Sequence, residues 1–165
     1  DGKTALEHAE TKKHFGVCQY LIDIGAPVPS SVDINTINIF TAANTGDFQL
    51  CKEAIKAGAL VNTRNSDGDT ALAIATKRFL YPVAQLLISH GAKVEDLMDV
   101  KEKTNLLIFG AKNGDTEMVS KTLAAGAKIN EDGKKFLDKL IQKNPGTLSF
   151  IQRVLKRNES QKEVQ

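Results

Sequence analysis

Tryptophan is absent from this 165-residue chain, and aromatic residues make up only 5% of it. A rounded globule usually fills its centre with large rings. A chain without them must bury its surface between small aliphatic side chains, which predicts a thin core. Cysteine occurs twice, too rarely for a disulfide framework. No apolar run approaches the roughly 18 residues of a spanning helix, so no membrane insertion is expected. The opening DGKTALEHAE lacks the basic-then-apolar layout of a secretory signal. Neither sign of charge dominates: 22 basic and 20 acidic residues leave a formal +2. That balance argues against nucleic acid or acidic membranes as partners chosen by global charge. What the chain does have is length enough for one domain, 41% hydrophobic residues and 12 glycines.

The glycines are periodic. Gly-Ala recurs at Gly25-Ala26, Gly58-Ala59, Gly91-Ala92 and Gly126-Ala127, with gaps of 33, 33 and 35. Gly2, Gly68 and Gly133 form a second set near twice that spacing, and Gly46 and Gly114 a third. Aligned on Gly-Ala, the segments 4–26, 37–59, 70–92 and 105–127 match without a gap. One apolar column holds Leu6, Ile39, Leu72 and Leu107, and a small column holds Ala9, Ala42, Ala75 and Gly110. Two more hold Val17, Leu50, Val83, Met118 and Leu21, Ala54, Leu87, Thr122. A fixed period of this length is the signature of stacked repeats.

Each unit carries two helical patterns. The first spans about two turns, as in Thr70 to Lys77, with Thr4 and Thr70 as N-caps and Thr4 with Glu7 as a capping box. The second runs about ten residues, with Val17, Cys18, Leu21 and Ile22 as one apolar stripe. Asp47 and Asp115 can cap it, and Pro82 falls in its first turn, where the missing N–H is harmless. The Gly-Ala glycine suits a left-handed C-cap. Asp67-Gly68 suits a tight turn between units. No unit can bury its stripes alone, so neighbours must stack.

These columns resemble the ankyrin repeat. Gly2-Lys3-Thr4-Ala5-Leu6 and Gly68-Asp69-Thr70-Ala71-Leu72 match its opening, with Ala in the Pro position. Ala42-Ala43-Asn44-Thr45-Gly46-Asp47 matches its middle, and Gly58-Ala59-Leu60-Val61-Asn62 its exit. The resemblance implies an all-α ankyrin-repeat solenoid of stacked helix-turn-helix units with short finger or hairpin loops. The expected domain is 1–156, with units at about 1–33, 34–66, 67–101 and 102–131, a degenerate C-terminal cap at 132–156 and a polar, frayed tail at 157–165. The Thr-Pro-Leu-His signature is never complete, and units two and four lack Gly-x-Thr. Irregular loops are therefore expected at Pro27 to Thr36 and Glu95 to Thr104. The cap should carry a helix with Phe136, Leu137, Leu140 and Ile141, a turn at Asn144-Pro145-Gly146, and a helix with Leu148, Ile151, Val154 and Leu155. Because the chain opens inside a repeat, it reads as a fragment, with further repeats or domains upstream.

No catalytic constellation emerges. His8, His14 and His90 read as surface or capping residues, and neither His-Glu-x-x-His nor Cys-x-x-Cys occurs, so no metal and no cofactor are expected. Asn65, Asp67 and Asp69 alternate like a calcium loop but lack its glycine and distal Glu, which leaves a finger tip. Cys18 and Cys51 share a column on helices that should lie about 8–10 Å apart. That is too far for a bridge, so two buried free thiols are expected in a reducing, intracellular compartment. Asn158-Glu159-Ser160 matches a glycosylation acceptor and is discounted on the same ground.

In the resembled family, finger tips and the open side of the first helices line a concave binding face. The matching positions give Arg64, Asp67 and Asp69 on the finger, and Ile74, Lys77, Arg78, Phe109 and Lys112 on the first helices. Ile74 and Phe109 would form an apolar centre within a basic rim. The expected function is a non-catalytic module binding another protein, neither enzyme nor nucleic-acid reader. The alternative is a substrate-recruiting segment of a larger enzyme or secreted bacterial effector.

Overall fold

The computed structural model describes residues 2–129, 131–143 and Pro145. It is all-α among these residues, apart from one antiparallel bridge between Arg64 and Thr70. The chain divides into two compact units, Asp1–Lys93 and Val94–Gln165.

In the first unit the helices are α1 (Ala5–Thr11), α2 (Phe15–Asp23), α3 (Ile34–Thr45), α4 (Phe48–Lys56), α5 (Ala71–Lys77) and α6 (Tyr81–Ser89). In the second they are α7 (Val100–Asn113), α8 (Thr116–Ala124) and α9 (Glu131–Lys143), after a 3-10 turn at Val94–Asp96. The starts follow the expected caps. Thr4 accepts from the Glu7 N–H while Glu7 accepts from the Thr4 N–H, which completes the capping box. Thr70, Asp47 and Asp115 cap α5, α4 and α8. The ends follow one chemistry. Gly25, Gly58, Gly91 and Gly126 all have φ between +86° and +94°. Behind them the N–H groups of Ala26, Ala59, Ala92 and Ala127 donate to carbonyls five residues back. That double closure satisfies the last carbonyls of α2, α4, α6 and α8.

A second left-handed column lies between the paired helices. It holds Lys13 (φ 58°), Gly46 (85°), Phe79 (60°) and Gly114 (74°). Two of these are not glycine, and a side chain in this region costs about 1–2 kcal/mol. The Phe79 ring is 65% exposed, and its edge-on contact with Tyr81 at 6.2 Å between centroids offsets only part of the strain. Phe79→Gly should therefore raise stability by about 0.5–1 kcal/mol, the released strain outweighing the entropy that glycine adds to the unfolded chain. Urea denaturation checks it, and an unchanged or lower midpoint would contradict the strained turn.

The segments expected to be irregular loops are partly helical. α3 begins at Ile34 and α7 at Val100, one turn or more before the repeat columns start. Asp33 and Asp99 cause this, since each carboxylate caps the backbone at the new start. These first helices have 12 and 14 residues, against 7 in α1 and α5. Each is tied to the exit of its own repeat. The Leu60 N–H donates to the Thr36 hydroxyl. Thr104 and Lys128 exchange a bond in each direction. The finger between α4 and α5 folds as a hairpin. Asn65 Oδ1 accepts from the Asp67 and Asp69 N–H groups, and Gly68 turns at φ +83°. Asn62 then clasps the next exit, donating to the Gly91 carbonyl and accepting from the Lys93 N–H.

Packing in the first unit is regular from α3 onward. α3 lies on α5 and α4 on α6. Ala42, Ala75, Ile39 and Leu72 are buried between them, as their columns require. The first pair departs from this register, because α2, rather than α1, runs along α3. Cys18 is still fully buried. Val17 is 51% exposed, although Val83 and Met118 of its column are buried, which corrects the expected apolar stripe of α2. In the second unit α7 packs on α8 and α9 around Leu107, Ala111, Val119, Leu123, Ala127 and Leu137. Gly110 holds the small column there, since a Cβ would come within 3.1 Å of the Met118 side chain. α9 covers the residues expected for the first cap helix. The expected turn beyond Pro145, the second cap helix, the glycosylation triplet and the 157–165 tail lie outside the described residues.

Candidate interaction surface

The finger, α3, α5 and α2 enclose a cleft of about 890 Å³ in the first unit. Five sequence-predicted residues meet on it: Asp67, Asp69, Ile74, Lys77 and Arg78. Asp67 and Asp69 come from the finger tip, where the Asn65 turn fixes the backbone. Ile74, Lys77 and Arg78 follow one another along the last turns of α5. Lys77 Nζ sits 2.7 and 2.8 Å from the two Asp69 oxygens, which pins the finger to α5. Both side chains are partly exposed, so the pair contributes only about 0–1 kcal/mol. Its value is positional. Ile74 is half-buried and forms part of the floor.

The other three predicted residues are placed differently. Arg64 is exposed, and its Nη1 donates to the Gly68 carbonyl at 2.8 Å, bracing the finger from within. It does not line the cleft. Phe109 (half-buried) and Lys112 (exposed) belong to α7 in the second unit. The far wall of the cleft was not expected. His14, Phe15, Val17, Gln19 and Tyr20 of the first helix pair form it, with Thr41 and Asn44 on α3. Val17 and Tyr20 are 51% and 64% exposed, an apolar edge facing solvent beside the charged one.

Neither cysteine lines this cleft. Both thiols are buried and unpaired. Burial pushes Cys51 up to about 11, helped by the Asp47 carboxylate. Burial also raises Cys18, with Glu10 adding to it. Neither is a thiolate at neutral pH, so neither is an activated nucleophile. His90 sits at the end of α6 with Nδ1 2.9 Å from the Leu86 carbonyl, a capping role. His8 and His14 are exposed. Among the described residues no group of three or more His, Cys, Asp or Glu could hold a metal. No described helix is long and apolar enough to cross a membrane. Glu7 is held below the usual carboxylate range. The Ser31 hydroxyl donates to it first, then the Thr4 backbone and hydroxyl. It fastens the segment after α2 to α1.

Two curated relatives carry the same pattern. The chain is 32% identical over 129 residues to the Mus musculus protein named Ankyrin repeat and SAM domain-containing protein 6. It is 33% identical over 129 residues to the Rattus norvegicus protein of that name. The chain belongs to the ankyrin-repeat proteins. The alignments cover 77% of this chain, which spans only 14% of the length of those relatives. No family model matches the ankyrin-repeat chain. Among solved structures, the human ASB11 ankyrin repeat domain is 21% identical at a TM-score of 0.41, covering 86% of this chain and 70% of that one. Ankyrin repeats are protein-interaction modules, and this array is one in kind.

Proposed function

We propose that this ankyrin array binds a partner protein through the palm of its first unit, the surface made by the finger, α3 and α5. The cleft that gathers Asp67, Asp69, Ile74, Lys77 and Arg78 is the observation that carries the reading. It offers an apolar floor, a fixed ion pair and an Arg78 guanidinium at the rim, the mixture found where partners dock. Arg64 acts indirectly by stiffening the finger. Phe109 and Lys112 provide a second contact area on α7. The domain is four repeats with a C-terminal cap. The protein works in a reducing, intracellular compartment, in keeping with its two unpaired thiols.

The test is capture of the partner from cell extract by wild-type chain and by variants, with bound proteins quantified by mass spectrometry. Lys77→Glu with Arg78→Glu should reduce the captured partner at least tenfold while leaving helicity unchanged. Phe109→Ala with Lys112→Glu should reduce it less. If capture survives the loss of all four side chains, binding runs through another surface.

A further inference from the structure

We propose that the palm of the first unit is a groove for an amphipathic helix, that α2 of the same chain is its resident occupant, and that a partner helix of the same pattern exchanges with it. This rests on the palm as the binding surface and adds the chemistry of what binds there.

The conflict between repeat register and packing leads to it. α3 with α5 and α4 with α6 stack first helix on first and second on second. The alignment gives the first pair the same columns, so α1 should lie on α3 and α2 on α4. Instead α2 lies along α3, on the side that carries the finger and the end of α5. The ties are those of a bound helix. The Phe15 ring stacks on Phe40 at 4.4 Å between centroids. Thr41 Oγ1 donates to Gln19 Oε1 at 2.8 Å. The Ser66 N–H at the finger tip donates to the Lys13 carbonyl at 3.1 Å, where the chain enters α2. Cys18 fills the seam and Ile22 is half-buried.

The seat is incomplete, which makes exchange feasible. A cleft of about 890 Å³ stays open between α2 and the finger. Val17, a core position by its column, is half exposed, and Tyr20 and Ile24 point outward. Ser31 bonds to Glu7, within the first pair's own segment, so this contact can travel with the pair. A partner helix therefore needs an aromatic residue at i, a small one at i+3, Gln at i+4 and an aliphatic at i+7, copying Phe15, Cys18, Gln19 and Ile22.

The probe is a fluorescein-labelled, helix-stapled peptide of residues 14–24, titrated into the full chain and read by anisotropy. Phe15→Ala loosens the resident helix and should bind the peptide at least tenfold more tightly than wild type. Lys13→Cys with Ser66→Cys, oxidised, should pin α2 to the finger and bind at least tenfold more weakly, with reduction restoring wild-type affinity. Equal affinity for the pinned and reduced chains overturns the proposal. So does absence of peptide binding by Phe15→Ala while α5 and α6 keep their amide protection. Hydrogen exchange provides a second readout. The Ser66 and α2 amides should exchange through a local opening, ahead of those in α5 and α6. Exchange only together with α5 and α6 would mean that α2 never leaves the palm. A doubled mass by light scattering, with peptide excluded, would make the occupant a second copy's α2 and also overturn it. The peptide assays need no partner, so they can fail while the Lys77 and Arg78 variants still lose capture, and the reverse.

Discussion

Leu87→Ala is expected to lower the unfolding free energy by about 2–5 kcal/mol. Leu87 is fully buried in α6, which packs against both α4 and α5. Removing its isobutyl group loses transfer free energy and leaves a cavity that close-packed neighbours refill poorly. Ala54 faces the same column from the preceding repeat and is too small to fill it. The backbone of Leu87 is also committed, since its carbonyl accepts from the Ala92 and His90 N–H groups. Relaxation is therefore limited, which favours the upper half of the range. Ser66→Ala is the control. Its hydroxyl is exposed and only its N–H is bonded, so the change should stay within about 0.5 kcal/mol. Urea titrations of both variants with unchanged slopes decide the matter. Equal midpoints would mean that the column does not form the core of these repeats.

Phe40→Ala should cost about 3–5 kcal/mol, through two separable effects. The ring is 4% exposed on α3, so its loss opens a large cavity in the centre of the first unit. It is also the surface on which Phe15 stacks, with the rings 26° from parallel. A double-mutant cycle with Phe15→Ala isolates that contact, expected at about 0.5–1.5 kcal/mol beyond area burial. The single variant should lose amide protection in α1 and α2 before α5 and α6. Uniform loss across all six helices would show that Phe40 supports the unit as a whole rather than its seating of α2.

The repeat logic was legible because it is local. Each Gly-Ala left-handed glycine and each Thr or Asp cap answers to residues within five positions, and alignment exposes them. The same columns carry two further signals. Lys13 and Phe79 stand in the column of Gly46 and Gly114, which marks two left-handed turns without glycine. Asp33 and Asp99 each precede a helix-forming run and extend α3 and α7 into segments that looked irregular for want of Gly-x-Thr. The seating of α2 was not legible. A column shows that Cys18 is buried but not against which neighbour, because an apolar face fits α4 or α3 alike. The candidate site divides on the same line. Asp67, Asp69, Ile74, Lys77 and Arg78 follow from finger and helix geometry within one repeat and do meet. The wall supplied by Val17, Gln19 and Tyr20 depends on a contact between distant segments, and a residue pattern carries no distance.

The Ser66–Lys13 bond has a kinetic consequence. The other hydrogen bonds described in the first unit span about thirty residues or fewer, a low contact order that favours rapid zipping from several starting points. This bond closes a loop of about fifty residues, so its entropy is lost only after α3 to α6 have formed a surface to close upon. During synthesis the first pair emerges before the surface it will occupy exists. α2 therefore docks only after that surface has formed, although it is made first.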